Sequence, residues 1–210
     1  MAELKLTKKD FKKGDNYWSE YVGKTDVSDY KGDITIEGNL GWVRFNSIKL
    51  SGYLIAEAGT GIEAGTGIKA GTGIKAGTGI KAGEGIEAGW GIEAGWGIKA
   101  GEGIEAGWGI EAGTGIEAGW GIVSGLSITC KLVLSFNYRL FAGVAWFRDN
   151  DNEEKQITCG KLEGGTVCYG DVTEIGLPDE KKDPETINIG GTNYEVTDEL
   201  KSALKDLKEA

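Results

Sequence analysis

Few side chains in this 210-residue chain could do chemistry, and their types set narrow limits. There is no histidine, which removes the usual general base and the commonest metal ligand. Cys130, Cys159 and Cys168 lack C-x-x-C spacing and do not read as a zinc site. An odd, scattered set reads as reduced core thiols of a cytosolic protein, with a Cys159–Cys168 cross-strand disulfide as the alternative. Glu84 and Glu102 occupy equivalent places in a repeat and could pose as an acid–base pair. Exposed carboxylates, however, lack the burial or charged neighbour that such work requires. The stretch DNDNEE (149–154) starts like a calcium loop, but Glu154 stands where glycine is needed and Gly160 where glutamate is needed. GTGIKAG has neither phosphate-loop spacing. The expectation is therefore a protein that is not an enzyme, with no cofactor and no metal.

The remaining candidates are tryptophans. Trp90, Trp96, Trp108 and Trp120 each stand between two glycines. At solvent-facing corners they would form an aromatic patch with Glu84 and Glu102 alongside, and repeated exposed tryptophan marks binding surfaces. The competing reading is that the rings fold back and seal gaps between corners.

The element that must position them is a repeat. From Ala58 to Val123 the chain is eleven gapless copies of A-G-x-G-I-z. The x position takes Thr, Glu or Trp, z alternates loosely between Glu and Lys, and Ile and Ala are constant. SGYLIA (51–56) and SGLSIT (124–129) are degenerate flanking copies. Two glycines in every six residues exclude a helix, at a cost of roughly 2 kcal/mol per copy. Isoleucine at every sixth residue is poor linker chemistry. A short fixed period is the signature of a solenoid. In the strand I-z-A, isoleucine and alanine point inward and z outward. G-x-G turns the corner, glycine supplying the backbone conformations of a tight turn.

Two stackings compete. Twelve-residue coils would place Glu63, Lys75, Glu87, Lys99 and Glu111 in one column of alternating charge. Eighteen-residue coils would stack Glu84 on Glu102 and Trp90 on Trp108 as a triangular prism. The second is preferred, because two Ile/Ala faces enclose little core. The fold class is thus mainly β: a parallel β-solenoid (β-helix) of hexapeptide repeats, three per coil, with β-rich caps and a C-terminal β-hairpin plus a short α-helix.

The expected organisation has an N-terminal cap with irregular leading strands (1–50), the solenoid (51–129), a β-rich cap (130–176), a linker (177–185) and a hairpin–helix tail (186–210). In the second cap, ITCGKLEGGTVCYGDV (157–172) reads as a hairpin turning at Gly164-Gly165. In the tail, Thr197 is the expected N-cap of a helix whose apolar stripe is Leu200, Ala203, Leu204 and Leu207. That tail is too small to be stable alone, so Leu200, Leu204 and Leu207 are candidate contacts with a partner or with a second copy.

Charge narrows the partner. The net charge is −10, and residues 149–210 carry sixteen acids against seven lysines. A direct nucleic-acid ligand needs a basic face, whereas an acidic surface suits a protein with a basic groove. No run approaches the ~18 apolar residues of a membrane span, and MAELKLTKKDFKKGD lacks the apolar centre of a secretory signal. A cytoplasmic location in a bacterial host cell is expected.

The hexads resemble hexapeptide-repeat β-solenoids over about residues 51–129. They depart from the acyltransferase version, whose aliphatic residue is followed by glycine and which uses histidine. Together with RLFAG (139–143) and ITCGKLEGGTVCYG (157–170), they look like hexad-repeat proteins of gut bacteria and their phages, a likeness that implies no activity. By analogy with pentapeptide-repeat solenoids, which present a charged surface to a DNA-binding enzyme, the expected function is a phage or mobile-element inhibitor or decoy of a host nucleic-acid-binding protein. Carbohydrate binding or a virion-associated role through the corner tryptophans is the alternative, self-assembly a further one. An ice-binding reading of Thr60, Thr66, Thr72 and Thr78 ranks below all three.

Overall fold

The computed structural model describes residues 2–14, 17–145, 153–178 and the strands Thr186–Ile189 and Thr192–Glu195. The described residues wind as a parallel β-solenoid of short strands and turns, with a single 3-10 turn, Lys8–Asp10, as their only helical element. Within the repeat, partners on adjacent rungs are eighteen residues apart, as in Ile74↔Ile92 and Ile92↔Ile110. Three hexads therefore make one coil, and three faces result. Face I stacks Ile62, Ile80, Ile98 and Ile116. Face II stacks Ile68, Ile86, Ile104 and Ile122. Face III stacks Ile74, Ile92, Ile110 and Ile128.

The register follows from alternation along each three-residue strand. Isoleucine and alanine go inside, where every one from Ile62 to Ile122 is at most 3% exposed, and z goes out. Glu63 alone among the z residues is buried, between Arg44 and Lys81. Each interior isoleucine contributes roughly 1.5–3 kcal/mol by leaving water. The corners belong to the ladder as well. Ile80 N–H donates to the Gly97 carbonyl (3.0 Å), and at the x position Trp96 N–H donates to the Thr78 carbonyl (2.8 Å). Backbone groups at the turns are thus satisfied without side-chain caps.

The structure corrects the expected role of glycine. Within the eleven hexads only Gly59 has positive φ (76°), so the corners do not need left-handed backbone. What they need is closeness. A Cβ on the first glycine of a hexad would lie 2.0 Å from the Gly65 carbonyl oxygen at Gly83, 2.1 Å from that of Gly83 at Gly101 and 1.9 Å from that of Gly101 at Gly119. The second glycine is looser: at Gly103 the nearest atom, the Gly121 oxygen, would be 3.4 Å away.

Parallel pairing also runs beyond 51–129 at both ends. Ala2–Leu6, Gly32–Ile36 and Leu54–Ala56 lead into face III, and Trp18–Tyr21 and Gly41–Phe45 lead into face I. An antiparallel strand, Phe11–Lys13, edges face I beside Trp18–Tyr21. After the hexads, Val133–Ala142 bends round a corner, pairing Leu134 with Ile116 and Leu140 with Ile122. The hairpin expected over 157–172 is not formed. Gln156–Cys159 and Asp171–Glu174 extend face III in parallel, and Lys161–Tyr169 runs parallel to Val133–Ala142. Gly164 and Gly165 permit this. Gly164 has φ +93°, and a Cβ at Gly165 would lie 2.4 Å from the buried Phe136 ring.

Contacts divide the chain into Met1–Leu177 and Pro178–Ala210. In the second unit, Thr186–Ile189 and Thr192–Glu195 pair antiparallel. The expected helix with Leu200, Leu204 and Leu207, and residues 149–152 of the calcium-like stretch, lie outside the described residues.

Cys130 and Cys159 occupy inward positions and are buried, whereas Cys168 is exposed; all three thiols are free. The alternative Cys159–Cys168 disulfide is therefore not formed, and Cys168 is not a core thiol. Burial, then the neighbouring Cys159, pushes the Cys130 thiol up to about 11. Burial, then Glu174, raises Cys159 as well.

Two outcomes follow from this core. Gly101→Ala should cost about 2 kcal/mol or more in urea unfolding, while Gly103→Ala should stay within about 1 kcal/mol; equal losses would contradict the close-approach account. Iodoacetamide at pH 8 should label Cys168 alone in the native protein and all three cysteines after denaturation, as read by peptide mass.

Candidate binding surface

The outer surface is built from three kinds of column. At each corner the x residues stack: Thr60, Thr78, Trp96 and Thr114; then Thr66, Glu84, Glu102 and Trp120; then Thr72, Trp90, Trp108 and Leu126. On each face the z residues stack. Between them runs the second glycine of every hexad, a column without side chains, and each such column is the floor of a groove.

The four candidate tryptophans thus do not make one patch. Trp90 and Trp108 share a corner and stack face to face, centroids 5.1 Å apart and planes 5° apart. Tyr53 meets Trp90 at 5.7 Å and 88°. This ladder supports the reading that rings seal the corner, although 44% and 43% of Trp90 and Trp108 stay exposed. Trp96 (60%) and Trp120 (63%) stand on the other two corners. Among the described residues, neither is in contact with another ring. Glu84 and Glu102 lie exposed below Trp120, not beside the stacked pair.

The threonines turn out to be structural. Thr60 is fully buried; its hydroxyl donates to the Glu37 carbonyl (2.8 Å) and accepts from Leu40 N–H (3.1 Å). The Oγ1 atoms of Thr72 and Thr78 are also buried. A hydroxyl array facing water, which ice binding would need, is therefore absent at three of its four expected positions.

The z columns set the electrostatics. Lys75 pairs with Glu93 (2.6 Å), Lys99 with Glu117 (2.7 Å), and Lys69 with Glu87. The eighteen-residue register also stacks like charges, Glu87 on Glu105, Glu93 on Glu111 and Lys81 on Lys99. Among the described residues, Glu105 and Glu111 have no cationic partner, nor do Glu84 and Glu102. Glu105 on face II and Glu111 on face III flank the corner that carries Trp90 and Trp108. The result is an aromatic ridge bordered on both sides by uncompensated carboxylates.

Sequence reading missed several parts of this surface. Trp42 is paired with Gly61, and Tyr53 precedes the pair Leu54↔Ile74, so both occupy the second-glycine position of coils before the array. Their rings lie over the columns: Trp42 over Gly61 and Gly79, Tyr53 over Gly73. The offset there is 19 residues for Trp42↔Gly61 and 20 for Leu54↔Ile74, so a strict eighteen-residue register carried backward past Ala58 lands on Val43 and Ile55 and misses both rings.

Among the described residues, no cluster of histidine, cysteine, aspartate or glutamate could hold a metal ion. Among the same residues, no helix is long and apolar enough to cross a membrane.

The Trp90–Trp108 stack should couple the two residues by about 1 kcal/mol in a double-mutant cycle of alanine variants followed by urea unfolding. Trp96→Ala should cost less than about 0.5 kcal/mol. The chain matches no known protein family, no curated protein and no solved structure, so the meaning of this surface rests on its own geometry.

Proposed function

We propose that the protein is a non-catalytic binding module whose acidic aromatic ridge engages a basic surface on a protein partner. The observation that carries this reading is the Trp90–Trp108 stack set between Glu105 and Glu111, neither of which has a cationic partner among the described residues. Arginine and lysine side chains of a partner would meet carboxylates on either flank and ring edges and faces at the crest. Tryptophan on this side and arginine on the partner's are among the residues enriched at interface hot spots.

The C-terminal third of the sequence, sixteen acids against seven lysines in residues 149–210, has the same sign of charge. A partner with a nucleic-acid-binding groove would present the complementary field. A phage- or mobile-element-encoded inhibitor or decoy of a host defence or DNA-processing protein, acting in the bacterial cytoplasm, fits these features and the likeness to hexad-repeat proteins of gut bacteria and their phages. Sugar stacking is less favoured at Trp90 and Trp108, because each ring covers a face of the other.

Pull-down from a bacterial lysate at low and high salt, with the captured protein identified by mass, tests the proposal. A basic protein should be retained at low salt and released as ionic strength rises. Its retention should fall about tenfold with Glu105→Gln and Glu111→Gln combined, and further with Trp90→Ala. Recovery of no protein at either salt, or retention indifferent to salt, would overturn it.

A further inference from the structure

We infer that the open half of the face I glycine column is a slot for one aromatic side chain of a partner protein. The column starts at Trp42, runs through Gly61, Gly79, Gly97 and Gly115, and ends at Val133. Its first half is already filled from within. A Cβ at Gly61 would lie 3.0 Å from the six-membered ring of Trp42, and one at Gly79 would lie 2.8 Å from it. Both glycines are buried beneath that ring. The molecule therefore contains its own example of an indole seated on two rungs of bare glycine backbone. Tyr53 repeats the arrangement on face III, against Gly73.

The second half has the same floor and no such cover. Gly97 and Gly115 are partly exposed, and a Cβ at Gly97 would meet only the Gly115 carbonyl oxygen and the Thr114 hydroxyl, each at 3.2 Å. One wall is Trp96, the other is the Lys99–Glu117 ion pair, and Leu132 and Val133 close the far end. The groove encloses about 470 Å³, and its open half spans two rungs of about 4.8 Å each, the length that Trp42 covers next door. Trp96, 60% exposed and without a ring neighbour, supplies an apolar side to an incoming ring. The ion pair opposite offers donors and an acceptor to the ring's polar edge.

The occupant is taken to be a side chain because the occupant beside it is one, and in this the inference rests on the protein-binding reading above. The two stand or fall separately: the ridge acts through charge and Trp90/Trp108, the slot through glycine backbone and Trp96.

The test is a titration of protein labelled with ¹⁵N-glycine by N-acetyl-tryptophanamide, followed by NMR. The amides of Gly97 and Gly115 should shift saturably, with those of Gly85, Gly103, Gly91 and Gly109 unmoved, and with little change between low and high salt. Trp96→Ala should weaken the response about tenfold, whereas Trp108→Ala should leave it unchanged. Gly97→Ala, which puts a methyl on the floor, should weaken it too, with the unfolding midpoint showing that the fold is retained. No shift, shifts spread over all three columns, or an undiminished response in Trp96→Ala would overturn the slot. Salt-sensitive capture of a basic protein without probe binding would remove the slot alone; the converse would remove the ridge alone.

Discussion

The close approach of stacked corners governs the molecule. Along much of the array, the first glycine of a hexad sits where a methyl group would be about 2 Å from the carbonyl oxygen one coil back. Corners that tight let the x amide bond directly to the x carbonyl of the neighbouring coil, so turns join the ladder instead of interrupting it. They also keep the three-residue strands in an eighteen-residue register, which puts isoleucine on isoleucine and alanine on alanine. A register slip of one residue would drive the charged z side chains into the core.

Charge does not set that register. Twelve-residue coils would have alternated Glu and Lys down one column, and the molecule instead stacks Lys81 on Lys99, Glu87 on Glu105 and Glu93 on Glu111. Like charges on adjacent rungs are destabilising, but exposed pairs act at roughly the level of tenths of a kcal/mol to 1 kcal/mol. The burial of three Ile/Ala faces outweighs them by an order of magnitude per coil. Because the core decides the register, the outer charges are free to accumulate. That freedom leaves Glu105 and Glu111 uncompensated beside the tryptophan stack.

Much of this was legible in the residues. The hexad fixes which side chains go in and which go out, and core volume alone favours three faces over two. Other features were hidden for physical reasons. Gly164-Gly165 has the composition of a hairpin turn, yet the chain there continues parallel, because glycine is needed to pass the buried Phe136 ring. Nothing local to those two residues announces a ring contributed from another rung. The grouping of the tryptophans was likewise hidden while the coil length stayed open. Positions 90, 96, 108 and 120 look like one series along the chain and fall on three separate corners once wound. Only Trp90 and Trp108, eighteen apart, meet.

The tolerance of the x position and the emptiness of the second-glycine column are two sides of one construction. The first glycine is committed to backbone contact and the isoleucine and alanine to the core, so variation is confined to x and z. Bare backbone between those two lines leaves a groove on every face, of a width set by rung geometry. Before the array begins, the same column position takes Trp42 and Tyr53, whose rings lie down along the glycines that follow. An aromatic ring is thus what this groove accommodates when the chain itself supplies one. Trp96, by contrast, has threonine on the rungs above and below, and Trp120 has Tyr138 on the next rung but makes no ring contact with it. Their exposure is a consequence of writing tryptophan at positions not separated by one whole coil, whereas Trp90 and Trp108, one coil apart, each cover a face of the other.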